Sequence, residues 1–432
     1  MTYDHSSPID DAKIMTLSNG MRFVSVTMPH TQAVTSAIFV KAGSRWEPAK
    51  NAGIAHFLEH MVFKGTKRWP SSRHISEAIE GVGGNMNAST GKELVTYWTR
   101  VPVTNFELGT SVVSALVNEP LIEPQEAEKE RNVILEELDR SQDDPHSAVG
   151  LLSDEITFGD QPLGRPIIGS RETLLATAGC DIRHYMETNY VPENTVIAVV
   201  GRAEHEKAYE IVEKEFGTWK HTGSNSASYT SCDRFPTDQG VIVEDRGTEQ
   251  ANLVLTAPGL SLEDPDRWAL ALLNAVLGEG MSSRLFLRIR EQMALAYSVY
   301  SYSYPLTDQG VFGVYAGVSP DRAEDAVRAI VTELSSVGED LEQEELDRAR
   351  EYVRGRLILG TEDTRGVVSW VGGQLALMDR VIPMSEVIGN IESVSLKDIT
   401  RVADKVLDAS RYRLAVLGAF EDDSGFRDAL AG

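Results

Sequence analysis

One stretch near the midpoint of the chain is almost empty of large aliphatic residues. Residues 220–240 read KHTGSNSASYTSCDRFPTDQG, rich in Ser, Thr, Gly and Asn, which is the composition of a linker. Domains ordinarily run to about 100–200 residues, so a chain of 432 residues is expected to divide there. The expected division is one domain over residues 1–219, the linker over 220–240, and a second domain over 241–432.

Both halves open in the same way. Residues 34–40 (VTSAIFV) and 250–257 (QANLVLTA) are strand-like, and each is followed by a glycine-containing loop and a helical stretch, which suggests a duplicated unit. Further apolar strands at 195–200 and 412–417 alternate with long amphipathic helices at 124–140 and 343–359. The pattern is α+β and lacks the glycine fingerprint of a nucleotide-binding fold.

Several function classes fall away on composition. The 65 acidic against 41 basic residues give a net charge of −24, which opposes nucleic acid and would steer cationic ligands toward the chain. The plainer reading of that charge is an acidic surface that keeps the protein soluble. No apolar run approaches the ~20 residues of a spanning helix, so no membrane partner is expected. Residues 1–13 have neither the basic and apolar regions of a signal peptide nor the arginine of a transit peptide, and a cytoplasmic protein is expected. Cys180 and Cys232 stand alone and are read as reduced thiols, not as a disulfide or a thiolate metal site.

The chemistry is concentrated in residues 51–64, NAGIAHFLEHMVFK. On a helix, His56 and His60 lie four residues apart, about 6 Å along one face, so both imidazoles can reach one ion. Glu59 falls on the flank of that face, where its carboxylate can reach a water on the metal without displacing a ligand. A catalytic zinc takes a third protein ligand, and residues 130–140 (ERNVILEELDR) offer Glu130, Glu136 and Glu137. The stripe through Glu137 carries Val133 and Ile134 and can pack inward, whereas Glu136 shares its stripe with Lys129, Asn132 and Arg140. Glu130 lies about 10 Å from Glu137 along the axis, too far to share the ion but placed to hydrogen-bond a ligating histidine. Its plainer reading is a solvated first-turn glutamate favoured by the helix dipole.

These residues resemble the inverzincin peptidases of the pitrilysin and insulin-degrading enzyme superfamily (M16), in the subfamily of mitochondrial processing peptidase and its bacterial relatives. HFLEH is their inverted zinc motif, and 76 residues separate His60 from Glu137. Further blocks follow in order across nearly the whole chain: GGNMNAST at 83–90, DDP at 143–145, PLGRPIIG at 162–169 and SRLFLRIREQMALAYSVYS at 283–301.

The resemblance implies two related α+β domains forming one half of a clamshell chamber, the first binding one zinc per chain through His56, His60 and Glu137. Hydrolysis of extended peptides is implied, with the zinc-bound water as nucleophile and Glu59 as general base. It further implies that Asn87 and Ala88 lie on an edge strand pairing with substrate, and that Arg290 and Tyr297 reach the scissile carbonyl. The second half reads DPDRWALALLNAVLGEG at 264–280 where the motif would stand, and is expected to be a noncatalytic copy.

Two such chains face each other in this subfamily, so a homodimer is expected in which Arg290 and Tyr297 serve the partner's zinc. Residues 145–151, PHSAVGL, lack the acids by which the mitochondrial enzyme selects arginine, so a presequence-like preference is not implied. The glycine-rich loop of the noncatalytic mitochondrial partner is also missing, with only LGEGMSS before Arg284. Alternative readings are a noncatalytic peptide-binding or structural subunit of the same family, and a metal hydrolase acting on another bond.

Overall fold

The structure is a computed structural model and describes residues 7–220, 235–236 and 238–431. Most of the expected linker, residues 221–234 and 237, lies outside the described residues.

Eleven strands are found among the described residues: β1 Lys13–Thr16, β2 Arg22–Thr27, β3 Ala33–Val40, β4 Asn85–Thr90, β5 Val95–Pro102, β6 Thr195–Gly201, β7 Gly240–Asp245, β8 Ala251–Pro258, β9 Ala296–Pro305, β10 Gly310–Val318 and β11 Arg413–Gly418. Six of the helices matter here: α1 Ile54–Val62, α2 Pro124–Asp143, α3 Pro145–Phe158, α4 Arg267–Gly278, α5 Gln343–Gly360 and α6 Thr364–Met378. The α+β class read from the sequence is the observed one.

In the first compact unit the sheet order is β1-β2-β6-β3-β5-β4. The pair β2/β6 is parallel and the others are antiparallel. β6 reads TVIAVVG and is buried along its whole length, as expected of a central strand covered on both faces. Neighbouring side chains on β3 show the two covers. Thr35 Oγ1 meets Thr364 Oγ1 of α6 at 2.8 Å, and Ser36 Oγ meets Thr110 Oγ1 of helix Phe106–Asn118 at 2.9 Å. Successive strand residues point to opposite faces, so α6 and that helix sandwich the sheet.

The second unit has the order β7-β11-β8-β10-β9, again with one parallel pair, β7/β11, and the rest antiparallel. Strand by strand it repeats the order β2-β6-β3-β5-β4 of the first unit, in the same chain sequence. The duplication suggested by the similar openings is therefore present in the topology. α3 packs on β8 and β11, with Thr157 Oγ1 2.8 Å from Thr256 Oγ1.

The compact units do not follow the sequential division at the linker. One comprises Met1–Leu138, Pro166–Thr230 and Leu357–Val387, the other Asp139–Arg165, Ser231–Arg356 and Ile388–Gly432. Each unit thus draws segments from both sides of residues 220–240. The reason is a reciprocal exchange: α3 comes from the first half of the chain and covers the second sheet, while α6 comes from the second half and covers the first. Each helix presents an apolar face that needs a sheet, and each finds the one built by the other half.

Among the described residues no helix is long and apolar enough to cross a membrane.

Candidate metal centre

α1 begins without a side-chain cap of its own. Its N-cap is Gly53, at φ +94°, where a Cβ would come within 2.4 Å of the Ile168 carbonyl oxygen. Gly169, at φ +84°, would place a Cβ equally close to the Ala52 carbonyl, so the two glycines allow two backbone segments to touch. The orphan amides of the first turn are satisfied from a distance. The buried carboxylate of Glu47 accepts from the backbone N–H groups of Gly53 and Ala55, both at 2.8 Å.

α1 presents His56, Glu59 and His60, and α2 presents Glu130 and Glu137. The two helices are tied together by Arg131, whose guanidinium lies 5.8 Å from the centre of the Phe57 ring and bonds the carbonyls of Leu174 and Thr177. Val133, expected to pack inward beside Glu137, is 48% exposed. The buried stripe of α2 runs through Ala127, Glu130, Arg131, Ile134, Leu135 and Leu138, and Glu137 sits on its border, half-buried, while Glu136 is exposed. The inward reading of Val133 is thus corrected: the helix turns Glu130, not Val133, toward α1.

His56 Nε2 and His60 Nε2 lie 3.9 and 3.5 Å from Glu137 Oε2, and one ligand atom of each residue falls within 4.8 Å of the others. Atoms bound to one zinc at about 2.0–2.2 Å stand about 3.3–3.6 Å apart in a tetrahedron. The 3.5 Å separation falls in that range and the 3.9 Å one is a few tenths longer, so small side-chain adjustments bring the three residues onto one metal ion. No other such cluster of His, Cys, Asp and Glu is found among the described residues.

The tautomer of His60 is set by a neighbour. Its Nδ1 lies 2.9 Å from Glu130 Oε1, so Nδ1–H donates to the carboxylate and the Nε2 lone pair faces Glu137. Lys64, one turn beyond His60, forms an ion pair with the other oxygen of Glu130. Burial raises the Glu130 carboxyl, but the hydrogen bonds from His60 and Lys64 outweigh it, and the group is held below the usual carboxylate range. His56 differs, since its Nδ1 is buried with no hydrogen-bond partner among the described residues. Burial first, and the charge of His60 second, push His56 down to about 4.

Glu59 accepts a hydrogen bond from Thr90 Oγ1 at 2.5 Å. Burial raises its carboxyl, partly offset by that hydrogen bond and by His60. Thr90 ends β4, which among the described residues pairs with β5 alone and so lies at the edge of its sheet. Asn87 and Ala88 lie on the same strand, Asn87 exposed and Ala88 half-buried.

Arg290 and Tyr297 belong to the second unit. Arg290 sits on a π-helix, Phe286–Gln292, with its guanidinium 4.8 Å from the Phe286 ring centre and 5.3 Å from that of Tyr297. Tyr297, at the start of β9, is 75% exposed. α4 occupies the place between β8 and β9 that α1 holds between β3 and β4, and it carries no histidine.

Sequence reasoning missed Glu47 and Lys64. Lys64 had a signal, being four residues beyond His60 on the same helical stripe. Glu47 had only a faint one, a helix whose capping position is a glycine.

Comparison with known proteins matches residues 22–171 to the family model described as Insulinase (Peptidase family M16), and residues 180–353 to the Peptidase M16 inactive domain. The chain is 37% identical to an uncharacterized zinc protease of Streptomyces coelicolor, over 96% of this chain and 92% of that one. It is 33% identical to the uncharacterized zinc protease YmxG of Bacillus subtilis, over 94% and 98%. A crystal structure of a protease from Helicobacter pylori shares the fold, with a TM-score of 0.88 at 24% identity, over 94% of this chain and 99% of that one. By whole-length sequence similarity and by fold, the chain belongs to peptidase family M16.

Proposed function

We propose that the chain is a zinc-dependent endopeptidase that cleaves extended polypeptide, with His56, His60 and Glu137 holding the ion and Glu59 as general base. The observation that carries this reading is the convergence of three ligand atoms from two helices, with Glu130 fixing the tautomer that turns His60 Nε2 toward the same point. When bound at these three residues, zinc would supply Lewis acidity to the scissile carbonyl and to water at the site.

The chain's own residues do the rest. Thr90 occupies one carboxylate oxygen of Glu59. The other is left to take a proton from the attacking water and deliver it to the leaving nitrogen. The open edge of β4 supports backbone pairing with an extended peptide through Asn87 and Ala88, a mode that depends little on side chains. The net charge of −24 favours cationic peptides among these.

The active species in this reading is a homodimer in the cytoplasm, with Arg290 and Tyr297 of one chain serving the metal site of the other. The exposure of Tyr297 and the stacking of Arg290 against it support a pair presented outward as a unit.

Glu59→Gln tests the mechanism. The variant is expected to bind zinc as the wild type does and to lose turnover by about 10²–10⁴-fold, the usual contribution of a general base. A zinc-loaded Glu59→Gln protein with full activity removes Glu59 from the reaction, and activity insensitive to a chelator removes the metal.

A further inference from the structure

β4 and α1 are joined by a short polar contact, from Thr90 Oγ1 to Glu59 Oε2 at 2.5 Å. That length belongs to a hydroxyl donating to a carboxylate, among the stronger hydrogen bonds in proteins. A threonine hydroxyl has a single proton, so this donation commits it. Thr90 is branched at Cβ and pairs with Val95 of β5, which holds its backbone and restricts χ1. The direction of the hydroxyl is therefore set by the strand. Glu59, by contrast, is a flexible side chain on the flank of a helix, and the His-x-x-Glu-His spacing alone does not decide which oxygen faces the reaction.

We propose that Thr90 is a positioning residue for the base: by donating to Glu59 Oε2 it fixes the rotamer of the carboxylate and leaves Oε1 as the oxygen that accepts and returns the proton. The assignment rests on the reading of Glu59 as general base. It also gives the edge strand two duties, since the strand open to extended peptide through Asn87 and Ala88 carries at its end the group that aims the base. A peptide that pairs with β4 in register thereby meets a carboxylate fixed by that same strand.

The test uses full-length, zinc-loaded protein and a fluorogenic peptide selected from a mixed library for cleavage by the wild type. Thr90→Val keeps the shape and strand preference and removes only the donor. It is expected to lower kcat by about ten- to a hundredfold, the loss of one hydrogen bond to a charged group. KM and zinc stoichiometry should stay at wild-type values. Thr90→Ser restores the donor and should recover most of kcat. In a Glu59→Gln background, Thr90→Val should leave the residual rate unchanged, because the group it acts through is already disabled.

A Thr90→Val protein with wild-type kcat overturns the proposal. So does one with raised KM and unchanged kcat, which makes Thr90 a substrate contact only, or one that loses the same factor in the Glu59→Gln background. Should Thr90→Val not fold, Thr90→Ala is measured by the same scheme. Full activity in Glu59→Gln overturns the reading of the base itself, whereas an inactive Glu59→Gln beside a fully active Thr90→Val overturns Thr90 alone.

Discussion

The carboxylate of Glu47 accepts a 2.8 Å hydrogen bond from the backbone N–H of Ala55, the residue immediately before His56. Together with the bond from Gly53, this places a buried anion at the positive end of the helix that carries both histidines. Glu47→Ala strands two amides and is expected to cost about 2 kcal/mol or more in urea unfolding. It should also weaken zinc binding in a chelator competition, because the start of α1 loses its anchor. Unchanged zinc affinity in a destabilised variant would confine Glu47 to folding.

Glu130 orients His60 and is itself held by Lys64. Glu130→Gln keeps an oxygen acceptor but removes the charge, and should lower zinc affinity by about 10–100-fold, as loss of a partner behind a metal ligand does. Lys64→Met should act in the same direction and less strongly, since it leaves the Glu130–His60 bond in place. Metal titration against a competing chelator measures both.

His56 sets a pH dependence for the metal-free protein. Its pKa is about 4 in the folded chain and about 6.5 when unfolded. The unfolded chain therefore binds an extra proton between these values. The stability contributed by neutral His56 is complete above pH ~6.5 and is lost as pH falls toward 4, at up to about 1.4 kcal/mol per pH unit. Urea unfolding of chelator-treated protein across this window should show a steeper decline for wild type than for His56→Gln. Parallel curves would mean that His56 is as free to protonate in the folded chain as in the unfolded one.

Subunit mixing tests the shared site. Glu59→Gln and Arg290→Ala chains are each expected to be nearly inactive, and exchange of subunits should restore about a quarter of wild-type activity, because half the dimers are mixed and each has one complete site. No recovery despite demonstrated exchange places Arg290 at the metal site of its own chain.

The helices of the candidate metal site were legible because ligand chemistry and helical period coincide there. His56 and His60 share a face only if residues 54–62 are helical, whereas Glu137, read as lying on an inward stripe with Val133, sits at the border of the buried stripe of α2. The core strands were legible for a similar reason, since β6 and β8 are runs of apolar residues too short for helices. What could not be read depends on contacts between residues far apart in the chain. The apolar stripe of α3 says that the helix needs a sheet without saying which sheet, so the exchange with α6 was invisible. Val133 was misjudged because a helix stripe has a width, and only the neighbouring elements decide where its border falls. Glu47 and Thr90 act on α1 from outside it, and no periodicity within α1 refers to them.

The exchange of α3 and α6 also bears on how the protein is made. During synthesis the first sheet can be completed once β6 has emerged, yet one of its faces has no cover until residues 364–378 follow, more than 160 residues later. A ribosome-bound or truncated N-terminal half would present a wide apolar surface, prone to aggregation, with the whole His-x-x-Glu-His motif already in place. Full cover of the sheet behind the candidate metal site is thus deferred until residues 364–378 are made, and cutting the gene at its midpoint should yield two insoluble fragments.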